Sequence, residues 1–578
     1  MSLFKERRVK LLALAVLISV MLVWRPWGGL EPRARGLNFG VDIAGGYRAV
    51  LWLDVSHVTI RTSTDNLDSA WNSIRSALED NLNTTVNLVA RYPAENRIVV
   101  EVGKSVTSAF VQEIIGGSGT VVDVQNSATP STLDDAISKL HARIDPYGLL
   151  ETRFWTLGEN YILFETAQLD YYTKELVTKQ GRLELFIENE LVLTDKNIEI
   201  FGTPVSAGRV YSSIPIRYTE EGEQKLKTAS KGKTGLAGAV YLDRPSDAIL
   251  IFDERVLNEL SKLTYDNATR MFTYTTTEYT GEELQYTLRV PAIGTSVENL
   301  SPEALEYLES PDGVKLRALL LGSTDDFARI IENVPARYRV ESIPQLSGES
   351  KDKWIKRACG VISDLPVYLG VGSGRIVVEV SLQEARNLRT ILSNKSPTEL
   401  SLRSEAEIGS RLGAGFMREA LIAGAVAVAG VFLLIYYRYR RWKICLVFIG
   451  FTLCELLITF GGASVLGLTL GLPEIGGLLV VIGTGIDHQL TTTDEVLRGV
   501  HPEKAGAGWR ASRTLPMIYA SIFMTLAAVV PIAVLGFGAL RGFAAIAITG
   551  TVLAFLFTRP TYPKAIDAIL TSSRASAT

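Results

Sequence analysis

Residues 481–500 read VIGTGIDHQLTTTDEVLRGV and set Asp487 in the last third of an apolar stretch that begins near Ile475. A stretch of this kind approaches the ~20 residues a bilayer core requires. A charged group at membrane depth costs roughly 2.5–3.5 kcal/mol on insertion scales, so such residues face a bundle interior, a partner charge or a water path. Thr484, His488, Thr491 and Glu495 follow at three- and four-residue spacing, which gathers their polar atoms on one helical face with Asp487 at its upper edge. That pattern points to a proton or ion relay. The competing reading is an interhelical hydrogen-bond seam, worth about 0.6 kcal/mol per bond and without a transport role. The four His residues, at 57, 141, 488 and 501, include no pair at metal-ligand spacing, so no metal site is expected.

Working outward, the apolar content is 47% and the mean hydropathy +0.18, too high for a soluble chain of 578 residues and too low for one wholly in lipid. The chain is therefore divided. One apolar run, Leu11–Trp24, lies behind Lys5, Arg7, Arg8 and Lys10. It is followed by Arg25-Pro26-Trp27 rather than a small-residue cleavage site, which predicts an uncleaved anchor over 9–27. Five more spans are predicted near 416–437, 444–460, 475–496, 515–536 and 542–558. With six spans, the N-terminal basic cluster, the Arg438–Lys443 loop, the basic 497–513 loop and the tail with Lys564 and Arg574 share one side, predicted to be cytoplasmic. Residues 28–412 are then outside the cell membrane. Cys359 is the one thiol of that region, so its fold must rest on its core rather than on disulfides.

The external region repeats a strand–helix–strand pattern. Residues 96–102 lead to 121–124, 160–165 to 183–186 and 374–380 to 400–402, with amphipathic helices over about 106–115, 169–179 and 382–393. Helical patterns at 65–83, 132–147 and 350–363 precede the strands, giving the βαββαβ order of a ferredoxin-like unit, most completely over 47–124. Residues 205–345 break the repeat and read as an inserted head domain with strands near 239–242, 248–252, 272–277 and 286–290.

Several activities lack their residues. Gly103-Lys-Ser and Gly232-Lys-Thr end like phosphate loops, but the Gly needed five positions earlier is Ile98 in one and Lys227 in the other. His-Glu-x-x-His, Gly-x-Ser-x-Gly and Cys-x-x-Cys are missing, so no enzyme activity and no cofactor are expected. A net charge of −3 leaves no basic excess for nucleic acid.

Leu37-Asn-Phe-Gly-Val-Asp-Ile-Ala-Gly-Gly-Tyr47, just after the first span, resembles the Leu-Gly-Leu-Asp-Leu-x-Gly-Gly signature of the SecD family, accessory subunits of the protein translocase. Further similarities follow in order at Leu193-Thr-Asp-Lys-Asn-Ile198, Arg217-Tyr-Thr-Glu-Glu-Gly222, Tyr436-Tyr-Arg438, Leu470-Gly-Leu-Pro473 and Gly483-Thr-Gly-Ile-Asp487. The resemblance implies that Asp487 is the family's membrane aspartate, tied to proton-dependent function, and that Asp42, Gly45 and Gly46 are its external signature. The chain looks like an archaeal relative, and it has Ala44 and His488-Gln489 where the family often has Arg and Ala-Asn.

Two readings stay open from the residues themselves. The two glycines and Asp42 fit a turn or hinge, with ligand binding the alternative. Glu455, a second intramembrane carboxylate, could join Asp487 in a relay or hydrogen-bond a neighbour.

The expected architecture is an integral membrane α-helical bundle of six transmembrane helices, half of a resistance-nodulation-division (RND-like) transporter, carrying a large α+β external region of ferredoxin-like units. Its segments are a cytoplasmic 1–8, the first span 9–27, external repeats 28–204, the inserted head 205–345, a closing repeat 346–412, five spans over 413–559 and a cytoplasmic tail 560–578. The relay set is Asp487, Thr484, His488, Thr491 and Glu455. The resemblance implies SecF, a SecY-type channel, unfolded secretory polypeptides and membrane lipid as partners, with the proton or ion motive force as driver. An RND-type exporter of lipids or small molecules is the alternative.

Overall fold

The structure, a computed structural model, describes residues 7–24, 37–498, 507–535 and 539–575, less 83, 147–149, 151, 168, 170, 188–189, 208–210, 232–237, 277–282, 297–298, 311–314, 337, 364–373, 379 and 410–414. The Arg25-Pro26-Trp27 flank, the Gly232-Lys-Thr motif and the 499–506 part of the basic loop lie outside these. The protein is a multi-pass helical region joined to a large mixed α/β external domain with several sheets.

The long helices of the membrane region are Arg7–Trp24, Gly415–Tyr439, Trp442–Leu466, Leu472–Arg498, Ala507–Leu535 and Ala539–Leu553, the last continuing through a π turn at Ala554–Thr558. Six full-length apolar spans were expected, and the described residues supply three: Ile422–Tyr439, Trp442–Leu466 and Leu540–Thr558. The shortfall has a chemical cause. Arg7–Trp24 is only 18 residues long and carries Arg7, Arg8 and Lys10, while Leu472–Arg498 carries Glu474, Asp487, Asp494 and Glu495. Tyr519–Leu535 is apolar but short.

Contacts define the two ends of the bundle. At one end Arg8 Nη1 donates to the Pro560 carbonyl at 3.3 Å, and Asp494 accepts from Arg438 and from the Tyr439 hydroxyl, both at 2.7 Å. At the other end Asn38–Phe39 pairs in parallel with Thr469–Leu470, and the Gly40 N–H donates to the Leu470 carbonyl at 3.0 Å. The external domain thus grips the chain immediately before helix Leu472–Arg498.

Within the external domain, Ser56–Thr62, Leu67–Leu82, Val86–Tyr92, Arg97–Val102, Ser108–Ile115 and Gly119–Gln125 alternate as strand, helix, strand, strand, helix, strand. The sheet order is Val86–Tyr92, Arg97–Val102, Ser56–Thr62, Gly119–Gln125, all antiparallel. Period-2 Val58, Ile60, Ile98 and Val100 meet helix residues Ile74, Leu78 and Val111 in one core. A second sheet has the order Leu400–Ile408, Gly46–Leu53, Tyr161–Thr166, Arg153–Leu157 and is covered by Pro130–Ile144 through Leu133, Ala136 and Leu140.

The expected pairings change here. Gly46–Leu53 belongs to the second sheet, so the compact first unit is 56–125 rather than 47–124. Strand Leu183–Ile187 does not return beside Tyr161–Thr166, and Leu400–Ile408 does not join Arg375–Val378; it pairs with Gly46–Leu53, almost the whole external chain away. A local strand–helix–strand pattern sets element order, whereas the partner of each strand is chosen by nonlocal packing.

Ser212–Tyr218 and Gly238–Leu242, from the stretch read as an insertion, pair with Arg375–Val378, Leu183–Ile187 and Val361–Ser363 outside it. The part folded on itself begins near Ala248. Ala292–Thr295, Ala248–Asp253, Arg317–Leu321 and Arg339–Ile343 form a fully parallel sheet. Their unbroken apolar runs, such as Ala-Ile-Leu-Ile-Phe at 248–252, fit burial on both faces.

Candidate functional site

Helix Leu472–Arg498 divides the expected relay residues between two faces. Asp487 and Thr491 are exposed on the isolated chain, together with Gly483. Gly485, His488, Gln489, Thr492 and Thr493 are buried, and Thr484 lies between the two sets. One residue turns a helix by about 100°, so adjacent Asp487 and His488 point to different surroundings. The Thr484 hydroxyl donates to the Val481 carbonyl at 3.1 Å, and His488 Nδ1 bonds the Thr484 carbonyl. Thr493 and Tyr562 share a hydroxyl hydrogen bond of 2.7 Å, and Gln489 Nε2 donates to Thr452 Oγ1 at 3.4 Å.

Glu455, from the neighbouring helix Trp442–Leu466, meets this buried face. Gly485 is what admits it: a Cβ there would lie 2.5 Å from Glu455 Oε2. The cavity between them is lined by Glu455, Gly485, His488, Gln489, Thr492 and Arg559, and leaves about 10 Å³ open to the centre of a water molecule. His488 and Glu455 are therefore brought together, while Asp487 and Thr491 face away. Arg559 escaped the sequence reading, and Gln489 entered it only as a departure from the family pattern. Arg559 sits where an apolar helix meets Pro560 and looked like an ordinary basic flank; the π turn that aims it inward has no visible sequence signal.

The signature Asp42-x-x-Gly45-Gly46 lies at the other end of the same helix. Asp42 is buried in a helical turn, Val41–Ala44, and receives both Nη groups of Arg153 at 3.2 and 2.5 Å. Gly45 adopts φ 78°, and a Cβ on Gly46 would lie 2.4 Å from the Thr166 carbonyl oxygen. Arg153 also acts electrostatically on buried Glu474 in the first turn of Leu472–Arg498, whose Oε2 accepts the Gly471 N–H at 2.9 Å. Thirteen residues at 1.5 Å each place Asp487 about 20 Å along the helix from this joint.

Farther out, a charge cluster ties three parts of the external domain. Asp247 takes Arg317 at 2.7 Å and Lys104 at 3.3 Å; Arg317 also reaches Glu399 at 2.6 Å, and Arg339 reaches Asp54 at 3.0 Å. Burial opposes ionisation of Asp247, but Lys104 and Arg317 outweigh it and hold its carboxyl well below the usual range. Among the described residues no group of three or more His, Cys, Asp or Glu could hold a metal ion.

Residues 387–558 match the family model described as protein export membrane protein SecD/SecF, C-terminal. The SecD protein of Thermococcus gammatolerans is 25% identical over 482 residues, spanning 78% of this chain and 90% of that protein. The chain is thus similar to SecD proteins over most of its length, and to the SecD/SecF family model over 387–558. The SecD of Methanothermobacter thermautotrophicus is 23% identical across 82% of this chain and 96% of that protein. A crystal structure of SecDF in a super-membrane-facing form overlays with a TM-score of 0.48 at 15% identity, covering 96% of this chain and 57% of that one. The matched C-terminal region contains Glu455, Asp487 and helix Leu472–Arg498 with its junction strand.

Proposed function

We propose that this chain is a SecD/SecF-type accessory subunit of the Sec protein-export machinery that converts ion movement near Asp487 into displacement of its external domain, drawing polypeptide outward. The observation that carries the reading is continuity: one helix bears Asp487 and starts at the strand pair and the Asp42–Arg153–Glu474 cluster that fasten the external domain. A charge crossing the field is worth about 2.3 kcal/mol per 100 mV, enough to bias a two-state element by tens of fold.

The exposed carboxylate of Asp487 supports a membrane partner on that face, and the similarity to the SecD/SecF model favours SecF. A SecY-type channel, unfolded secretory polypeptides and surrounding lipid complete the proposed setting. Basic residues Arg8, Arg438 and Arg559 gathered at one bundle end support cytoplasmic termini and an extracellular domain. The strand order of 56–125 and of the Gly46–Leu53 sheet supports two ferredoxin-like units, the second interrupted by the rest of the external chain. The six long helices support a six-span arrangement, with the polar ones lining or facing protein.

Affinity purification of the full chain from its own membrane in mild detergent tests the assignment. Recovery of a second multi-span subunit together with a translocation channel is expected. Recovery of lipid-handling envelope proteins without a channel would refute it.

A further inference from the structure

The relay proposed above names Asp487, yet the interior of the bundle contains a cluster of acid and base side chains around a cavity that Asp487 does not line. Glu455 is 3% exposed, Arg559 6%, and His488 and Gln489 5% each. All four line the same small cavity. Among the described residues, Glu455 Oε1, His488 Nε2, Gln489 Oε1 and all three guanidinium nitrogens of Arg559 have no hydrogen-bond partner.

Leaving so many buried polar atoms unpaired is costly, more so for charged groups than for neutral ones. Two nearby hydroxyls spend their protons on their own helices: Thr459 donates to the Glu455 carbonyl at 2.8 Å and Thr558 to the Ala554 carbonyl at 2.9 Å. The cavity is about the size one water requires, and it offers the several polar partners a buried water needs. Two local features build the site. Gly485 lets the carboxylate rest on the backbone of its neighbour, and the π turn Ala554–Thr558, closed by the Arg559 N–H to the Ala554 carbonyl at 2.9 Å, turns the guanidinium inward. Such π turns recur at functional sites.

We propose that Glu455, Arg559, His488 and Gln489 form a hydrated acid–base site in which Glu455 is the carboxylate that gains and releases a proton, with Arg559 as its counter-charge. A hydronium at the cytoplasmic end gives its proton to Glu455 Oε1, forming the O–H bond there and leaving water; release is the reverse. The charged and titratable groups around Glu455 are Arg559, His488 of helix Leu472–Arg498, and Tyr562 of the last helix. Arg8 of the first helix bonds the carbonyl next to Arg559, and Arg438, Tyr439 and Asp494 form their own cluster at that end. The assignment deepens the proton-coupled reading and rests on it for its use in export, but the site itself is testable alone.

The test is pH-difference infrared spectroscopy on the full chain in proteoliposomes. One component of the carboxylic-acid absorption, resolved as the difference between native and variant spectra, is expected to grow as pH falls in the native protein and in Asp487→Asn, and that band is absent in Glu455→Gln. In Arg559→Gln the band should persist about 1–3 pH units higher, and Arg559→Lys should restore most of the native midpoint. An unchanged band in Glu455→Gln overturns the assignment, as does an Arg559→Gln midpoint equal to the native one. If Gln at 455 impairs insertion, Gly485→Ala gives the second test, because its Cβ must displace the carboxylate and shift the band. Export measured on the same vesicles reports separately on coupling: loss of the band in Glu455→Gln with gradient-driven export intact leaves the site standing and removes its role in transport.

Discussion

Replacing Asp247 by Asn should open the parallel-sheet part of the external domain without disturbing the membrane region. Lys104 and Arg317 are 3% and 7% exposed, and Asp247 is the carboxylate both touch, at 3.3 and 2.7 Å. Removing one partner of a buried ion pair strands the other charge and costs about 3–5 kcal/mol. Because 1.4 kcal/mol is tenfold, local opening should rise roughly a hundredfold to a few thousandfold. The amides of Ile249–Ile251, laddered to Ala318–Leu320, report it by hydrogen exchange on the full chain in detergent. Adding Lys104→Met to Asp247→Asn removes a stranded cation and should recover part of the loss. The sign with pH is fixed. Lys104 and Arg317 depress the Asp247 carboxyl, so its contribution is present above the unfolded value near 3.9 and disappears as pH falls through the lower folded value. Protection in Asp247→Asn within about threefold of native at neutral pH would refute the reasoning, since it would mean the cluster is solvated.

Two further outcomes follow from the junction. Gly46→Ala must push a Cβ against the Thr166 carbonyl, a backbone atom that cannot move aside, and should destabilise the second sheet by about 1–3 kcal/mol; native resistance to limited proteolysis would contradict this. Asn38→Cys with Thr469→Cys places thiols on paired positions of the parallel ladder, within reach of a disulfide. Oxidation should crosslink the pair efficiently and reversibly, and failure to form the bond would show that the external domain does not dock as described.

The membrane region was legible where one residue carries a large penalty. Asp487 and Glu455 stood out because a carboxylate in an apolar run is costly, and the helices read at about 106–115 and 382–393 followed from apolar spacing and from the Gly or Asn at their ends, and form at Ser108–Ile115 and Leu382–Ser393. Sidedness was less legible: a polar stripe spread over Thr484, Asp487, His488 and Thr491 covers more arc than one neighbour can bury, so the choice of inward face depended on where Glu455 docks. Arg559 was hidden for the same reason, since its direction comes from a π turn. Strand partners were out of reach for local pattern reading. Gly46–Leu53 and Leu400–Ile408 read as members of different repeats and meet only because everything between them folds outward. The parallel sheet at 248–343 was partly visible in its unbroken apolar runs, but its inclusion in a longer insertion blurred where it starts.

The most direct test of the account is gradient-driven export in sealed vesicles carrying Asp487→Asn, with membrane insertion and complex assembly measured on the same samples. The amide keeps the shape and much of the hydrogen bonding of the carboxylate but cannot carry a proton. Normal insertion and assembly with the gradient-stimulated part of export abolished is the predicted result. Gradient-stimulated export at the native rate would contradict the account.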